Sequence, residues 1–139
     1  MKKLVLGVIL LLSSAAFAQH DNFPPGLEIP ANMKQYFVVF LVEDEKAPPK
    51  QPDPATMKAH LATIRANIEA GKYVLAGPFI DHARIGGMFI VNAATQEEAM
   101  QLVSADPMVK SGIAKVELHP AMFPDLSSLK VTYPPKESK

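Results

Sequence analysis

The positions of proline limit where this 139-residue chain can form helices and strands more than any other feature. Proline has no backbone N–H to donate, so clusters of it interrupt both kinds of regular structure. We therefore expect one compact domain over residues 35–123, an N-terminal arm over 19–34 and a C-terminal tail over 124–139. Nine of the thirteen prolines lie in three clusters, which are Pro24, Pro25 and Pro30, then Pro48, Pro49 and Pro52, and finally Pro124, Pro134 and Pro135.

The first eighteen residues have the pattern of a secretory signal peptide. Lys2 and Lys3 precede the apolar run 4–12, and small residues lead to an Ala-x-Ala cleavage site ending at Ala18. The apolar run is shorter than the roughly 20 residues that a membrane-spanning helix requires. We therefore predict cleavage of 1–18 and a periplasmic or secreted bacterial protein with no membrane contact afterwards. An uncleaved N-terminal anchor is the alternative.

Composition excludes several classes of function. The chain has no cysteine, so a disulfide, a thiolate metal site and a thiol nucleophile are all impossible. Fourteen basic residues balance fourteen acidic ones, and this argues against binding to a nucleic-acid backbone. With 48% apolar residues, the chain has the composition of a globular domain. Nothing in the sequence requires a metal or an organic cofactor.

The first half of the predicted domain reads as strand, helix, strand. The run 36–42 is continuously apolar and β-branched or aromatic, which is typical of a buried strand. Asp53-Pro54 is an N-cap followed by a first-turn proline, and Gly71 supplies a helix stop. A second strand follows at 73–76. The intervening helix has one apolar stripe, which comprises Met57, Leu61, Ile64 and Ile68.

The second half repeats the pattern as strand, helix, strand. Residues 87–91 form the third strand, and Thr95 with Glu98 forms a capping box for a helix over 96–104. Asp106-Pro107 ends this helix, since the residue before proline leaves the α region. Alternation over 113–118 predicts the fourth strand. The order β-α-β-β-α-β predicts an α+β, ferredoxin-like fold, with an antiparallel sheet of order 4-1-3-2 and both helices on one face.

This topology brings polar residues from three segments to one end of the domain. Alternating directions place the start of the first helix, the loop 79–86 and the end of the second helix together. Their candidate residues are His60, Asp106, Asp81, His82 and Arg84. A histidine beside a carboxylate is suited to general acid–base chemistry near neutral pH. We therefore predict His60 and Asp106 as a catalytic pair, and Asp81, His82 and Arg84 as substrate-binding residues.

Each candidate also has a structural interpretation. His60 flanks the apolar stripe and fits a half-buried edge residue. Asp106 before proline fits a turn residue that accepts local backbone N–H bonds. Asp81 and His82 fit an ordinary polar turn, and Arg84 fits a solvated loop residue. His119 fits an exposed residue at the end of the last strand.

From His60 to Pro120 the chain resembles the YCII-related family. The matching pieces are Ala59-His60-Leu61, the segment Gly71 to Pro78, the segment Gly87 to Val91, the run Gln96 to Ala99, and the segment Asp106 to Gly112. The resemblance implies a dimeric α+β barrel, in which two ferredoxin-like sheets pack face to face. It also implies that His60 and Asp106 occupy the catalytic positions proposed for the family. Lyase, dehalogenase or isomerase chemistry on small oxygenated rings is the activity implied.

Two functions follow as hypotheses. The first is a small-molecule lyase, isomerase or hydrolase that uses the His60–Asp106 pair on an oxygenated cyclic substrate. The second is a non-catalytic periplasmic module that binds a ligand or a protein on a dimer scaffold. A homodimer is expected in both, because the first strand is apolar on both faces and the face away from the helices needs cover.

Overall fold

A computed structural model describes residues 26, 28–46, 48 and 50–132. The predicted signal peptide and all but the last part of the predicted arm lie outside these residues. The chain divides into two units, residues 1–30 and 31–139. Of the first unit, residues 26 and 28–30 are described, and they lie in neither a helix nor a strand.

The second unit contains a four-stranded antiparallel sheet with its helices on one face. The sheet order is β2-β3-β1-β4, which is the predicted 4-1-3-2 order read from the other edge. The predicted α+β, ferredoxin-like fold is therefore confirmed, and the sheet is open rather than closed. In chain order the elements are β1 (Met33–Val42), α1 (Pro54–Glu69), β2 (Tyr73–Pro78), β3 (Ile85–Val91), α2 (Gln96–Ser104), α3 (Pro107–Lys110) and β4 (Lys115–Pro124).

The ends of α1 are set by the residues that the sequence singles out. The Asp53 carboxylate accepts hydrogen bonds from the backbone N–H groups of Ala55 and Thr56, both at 2.9 Å. Pro54 occupies the first turn, where no intrahelical donor is needed. At the other end Gly71 adopts a left-handed conformation with φ of 69°, which ends the helix and turns the chain into β2.

Alternation along β1 divides the sheet into two faces. Phe37, Val39 and Leu41 are buried in the core, where Ile64 of α1 and Val103 of α2 pack against the same cluster. The residues between them point to the opposite face, which the helices do not cover.

The apolar stripe of α1 is only half buried. Ile64 is 6% exposed and Ile68 packs against the core cluster. Leu61 and Met57, which lie one and two turns nearer the N-terminus than Ile64, are 44% and 37% exposed. The predicted stripe therefore packs against the core only over its C-terminal part.

The elements differ from the sequence-based expectation in two ways, because every strand is longer than predicted and one short helix is added. β1 begins at Met33 rather than 36, β2 ends at Pro78 rather than 76, and β3 begins at Ile85 rather than 87. β4 extends to Pro124 rather than ending at 118, and Pro120 lies within it, paired with Phe37. Proline is tolerated there because β4 is an edge strand. His119 consequently lies inside the strand rather than after it, although it is exposed as expected. The second difference is the short helix α3, which begins directly after Asp106.

The residues after β4 are held by a tyrosine of β1. Tyr36 donates its hydroxyl proton to the Asp125 carboxylate at 3.2 Å and accepts the Leu126 backbone N–H at 2.9 Å. This segment therefore lies at the end of the domain opposite to the start of α1.

Candidate functional site

His60 and Asp106, which are 46 residues apart in sequence, form a hydrogen-bonded pair. The Nδ1 atom of His60 lies 2.9 Å from Oδ1 and 2.8 Å from Oδ2 of Asp106. The Asp106 side chain is fully buried, and the His60 side chain is 12% exposed. His60 and Asp106 therefore meet at one end of the domain, as the alternating directions of the elements predict.

Asp106 binds both the start of α3 and the side chain of His60. Its Oδ1 accepts the Met108 backbone N–H at 2.8 Å, so the residue caps α3 as well as binding His60. The structural interpretation of Asp106 as a turn residue and its interpretation as a partner of His60 are both correct. One carboxylate serves both purposes because its oxygens accept several hydrogen bonds at once.

The pairing decides which ring nitrogen of His60 is available. An ionised carboxylate can only accept hydrogen bonds, so Nδ1 carries the proton that lies between the two side chains. Nε2 is then the atom of the neutral ring that has a free lone pair. A negative charge buried beside Nδ1 also stabilises the imidazolium that forms when Nε2 takes a proton.

His60 lines a cavity of about 710 Å³ at the end of the domain where α1 begins. Most of its wall is apolar, and it includes Leu41 and Phe89 from the sheet. The Phe89 ring centroid lies 6.4 Å from that of His60. The exposed side chains of Met57 and Leu61 belong to the same wall, which explains why half of the α1 stripe is left unpacked.

The polar part of the cavity wall is small. Besides His60 it includes Glu43, Lys50, Gln51 and His82. His82 lies in the loop between β2 and β3, where its backbone is left-handed with φ of 56°, an unusual conformation for a residue other than glycine. His82 and His60 line the same cavity, as expected from their predicted proximity.

Comparison with known families identifies this domain. The model of the YCII-related domain matches residues 36–121, which is more than half of the chain. The chain belongs to the YCII-related domain family. The matched segment runs from β1 into β4 and includes both His60 and Asp106. No curated protein matches the chain.

Arg84 of this YCII-related domain is engaged by carboxylates. Its guanidinium donates to Glu117 at 2.6 Å and 3.3 Å, and Nε lies 3.5 Å from Glu45. The hydrogen bonds that Arg84 donates to Glu117, followed by the charge of Glu117, raise the pKa of Arg84, and the same contact lowers the pKa of Glu117. Arg84 does not line the cavity described above. Its predicted role in binding substrate stays a prediction.

Asp81 also lies outside that cavity wall. Its carboxylate accepts the Ala83 backbone N–H at 3.2 Å, which stabilises the turn that carries His82. This contact matches the interpretation of Asp81 as a turn residue. A direct substrate contact for Asp81, like the substrate-binding role of His82, stays a prediction.

Two aromatic residues of the site were not predicted as functional. Phe89 forms part of the cavity wall, and the Tyr73 ring stacks on it with centroids 4.8 Å apart and an angle of 17° between the planes. Both residues were read only as strand residues. Their alternation with neighbours would place them on the helix face, but nothing in the pattern indicates contact with a cavity.

Metal-ligating clusters and membrane-spanning helices are both absent from the part of the chain that the structure describes. Among residues 26, 28–46, 48 and 50–132, no three His, Asp or Glu side chains are grouped as a metal site. No helix within the same residues has the length and apolar character needed to cross a bilayer.

Proposed function

We propose that this protein is a small-molecule lyase, isomerase or hydrolase in which His60 and Asp106 act as an acid–base pair on an oxygenated cyclic substrate. One observation carries the proposal: an imidazole held by a fully buried carboxylate opens into a largely apolar cavity. Buried titratable pairs in a cavity are characteristic of functional sites, because a core without chemistry gains little from them.

In this proposal each member of the pair has a separate task. Nε2 of His60 removes a proton from a carbon next to the substrate carbonyl, or from a water molecule that attacks it. The electron pair left behind forms an enolate or a hydroxide adduct. Asp106 stabilises the resulting imidazolium and keeps the ring oriented. The imidazolium then returns the proton to another atom in an isomerisation, or to the leaving group in an elimination or hydrolysis.

The composition of the cavity wall supports a small ring as the substrate. Apolar side chains such as Leu41, Leu61 and Phe89 favour a compact hydrocarbon body. The polar groups available to orient it are those of His60, His82, Glu43, Lys50 and Gln51. A volume of about 710 Å³ lies within the range of ordinary small-molecule sites.

The test is proton exchange on two small oxygenated rings, butenolide and cyclohexenone, followed by proton NMR in heavy water. The wild-type protein is expected to replace their acidic C–H protons with deuterium faster than buffer. His60→Asn removes Nε2 but keeps an amide donor for Asp106, and we expect it to slow exchange by about 10²–10⁴-fold. Ring opening by hydrolysis would appear in the same spectra.

Equal rates for wild type and His60→Asn would contradict an acid–base role for His60. His60→Ala is a poorer variant, because it leaves the buried Asp106 charge without its partner and costs about 3–5 kcal/mol of stability. Binding of the ring compounds with no exchange above buffer would favour the second hypothesis, a non-catalytic binding module.

The same proposal includes a homodimer formed through the uncovered face of the sheet. Val38 and Phe40 of β1 and Met88 of β3 point to this face, and all three are partly exposed. Apolar side chains on an uncovered sheet face favour pairing with a second sheet. Sedimentation at micromolar concentration should give twice the chain mass, and Phe40→Asp should give the monomer. A monomeric wild type would contradict this part of the proposal.

Export is the last part of the proposal and depends on the sequence of residues 1–18. Its pattern of two lysines, an apolar run and an Ala-x-Ala site supports cleavage after Ala18. Mass spectrometry of the protein recovered from its native compartment should then give a chain that begins at Gln19. A full-length chain retained in the cytoplasm would contradict export.

A further inference from the structure

The hydroxyl of Tyr73 is an exception to the rule that buried polar groups have hydrogen-bond partners. Among the residues that the structure describes, its oxygen is the buried side-chain polar atom left without one. Tyr73 as a whole is buried at the start of β2. Leaving such a donor unsatisfied costs about 1–3 kcal/mol, so its retention calls for a physical explanation.

Asp106, in contrast, has more hydrogen-bond acceptor positions than donors that fill them. It is a buried carboxylate whose Oδ1 accepts from both Met108 and His60, whereas Oδ2 accepts only from His60. A carboxylate offers about four acceptor positions, and a buried negative charge is stabilised by each donor that fills one. Oδ2 therefore has acceptor capacity to spare in a region that is closed to solvent.

The two groups belong to one cluster. Tyr73 stacks on Phe89 at 4.8 Å, and Phe89 in turn lies against the ring of His60 at 6.4 Å. Burial raises the pKa of the Tyr73 phenol, and the negative charge of Asp106 raises it further. The stack from Tyr73 through Phe89 to His60 therefore brings an unsatisfied donor into the same buried cluster as a carboxylate with spare acceptor capacity.

We propose that Tyr73 is a positioning residue for the His60–Asp106 pair, donating its hydroxyl proton to Asp106 through one buried water. The bond fixes the carboxylate from the side of β2, while α3 fixes it through Met108 and α1 meets it through His60. Its consequence for turnover rests on the function proposed above. The hydrogen bond itself does not depend on any substrate.

The test compares Tyr73→Phe with Tyr36→Phe as a matched control. Both tyrosines are buried, and Tyr36 makes its hydrogen bonds to Asp125 and Leu126 instead. The reporter is the low-field proton NMR signal of His60 Nδ1–H, which senses the strength of its bond to Asp106. We expect Tyr73→Phe to shift this signal beyond its linewidth and Tyr36→Phe to leave it in place.

A double-mutant cycle provides the second readout. Tyr73→Phe should lower the urea midpoint of the otherwise wild-type protein, and lower it much less in an Asp106→Asn background, because the removed bond involves the charged carboxylate. If substrate turnover is established, Tyr73→Phe should reduce kcat about five- to tenfold, as expected for the loss of one hydrogen bond, with KM unchanged.

Two results would overturn the proposal. An unmoved His60 signal together with a raised urea midpoint in Tyr73→Phe would mean that the hydroxyl is an unsatisfied donor, relieved by its removal. Equal midpoint changes in both backgrounds would mean that Tyr73 and Asp106 do not interact. Both results can be obtained even if His60→Asn has no effect on proton exchange, so failure of the proposed function and failure of this inference are distinguishable.

Discussion

The two halves of helix α1 carry the same kind of residue and use it differently. In the C-terminal half, Ile64 and Ile68 pack against the sheet and are part of the core. In the N-terminal half, Met57 and Leu61 stay exposed and form one side of the cavity that contains His60. The helix is thus a packing element for half of its length and a cavity wall for the other half.

This difference arises from what lies opposite each half. The C-terminal half faces large core side chains such as Phe37 and Tyr73, which fill the space above the sheet. The N-terminal half faces the end of β2 and the start of β3, where Gly87, on the helix-facing side of the sheet, has no side chain to fill the space. Apolar surface left open in this way lowers stability but provides a place for a ligand.

The largest expected effect is on stability, and it separates the two halves directly. Ile64→Ala removes a core side chain and should lower the free energy of unfolding by about 2–5 kcal/mol. Leu61→Ala removes an exposed one and should lower it by less than about 1 kcal/mol. Urea unfolding of the two variants measures the contrast. Equal losses would mean that the cavity closes in solution and that both halves pack alike.

A smaller effect on stability is expected at Asp53, which caps the N-terminal half of α1, the open half that lines the cavity. The Thr56 hydroxyl first, and then backbone N–H groups, lower the pKa of Asp53 below its usual value of 3.8. The lowered pKa means that Asp53 contributes its full stabilisation above pH 3.8 and loses it as the pH falls further. Asp53→Ala should lower the thermal midpoint by about 5 °C at neutral pH.

Thermal midpoints measured at low pH distinguish the stabilisation by the charged Asp53 cap from other effects of the substitution. The difference between wild type and Asp53→Ala should shrink between pH ~4 and ~2, where the wild-type carboxylate becomes protonated. Asp53→Asn is the matched control, because its amide still accepts the backbone bonds but does not titrate there. A constant difference over the whole range would show that Asp53 is not a charged cap of the open half.

Local sequence patterns were enough to predict the fold. The cap at Asp53, the stop at Gly71 and the capping box of α2 act within a few residues, so their effect is visible in the sequence. The Thr95 side chain accepts the Glu98 backbone N–H at 3.1 Å, and the Glu98 carboxylate accepts the N–H of Ala94 at 2.9 Å. Strand order then followed from the alternating directions of the elements.

The site was predicted only in part, because its decisive properties are not local. The directions of the elements place His60 and Asp106 at one end, but the sequence predicts Asp106-Pro107 only as a helix stop and not as the start of α3, which Asp106 caps. Engagement of Arg84 by Glu117 depends on a strand 33 residues away. Tyr73 reaches the site by stacking on Phe89 of the neighbouring strand, and the residue pattern within one strand does not predict such a contact.

The central claim is that the open half of α1, and not the uncovered sheet face, binds a small ring beside His60. Methionines labelled at their methyl carbons report on both places, because Met57 and Met108 line the cavity and Met88 lies on the other sheet face. Titration with butenolide and cyclohexenone, followed by NMR, should shift the Met57 and Met108 signals and leave that of Met88 unchanged. Shifts confined to Met88, or no shift at Met57 and Met108 up to the solubility limit of both compounds, would contradict the account.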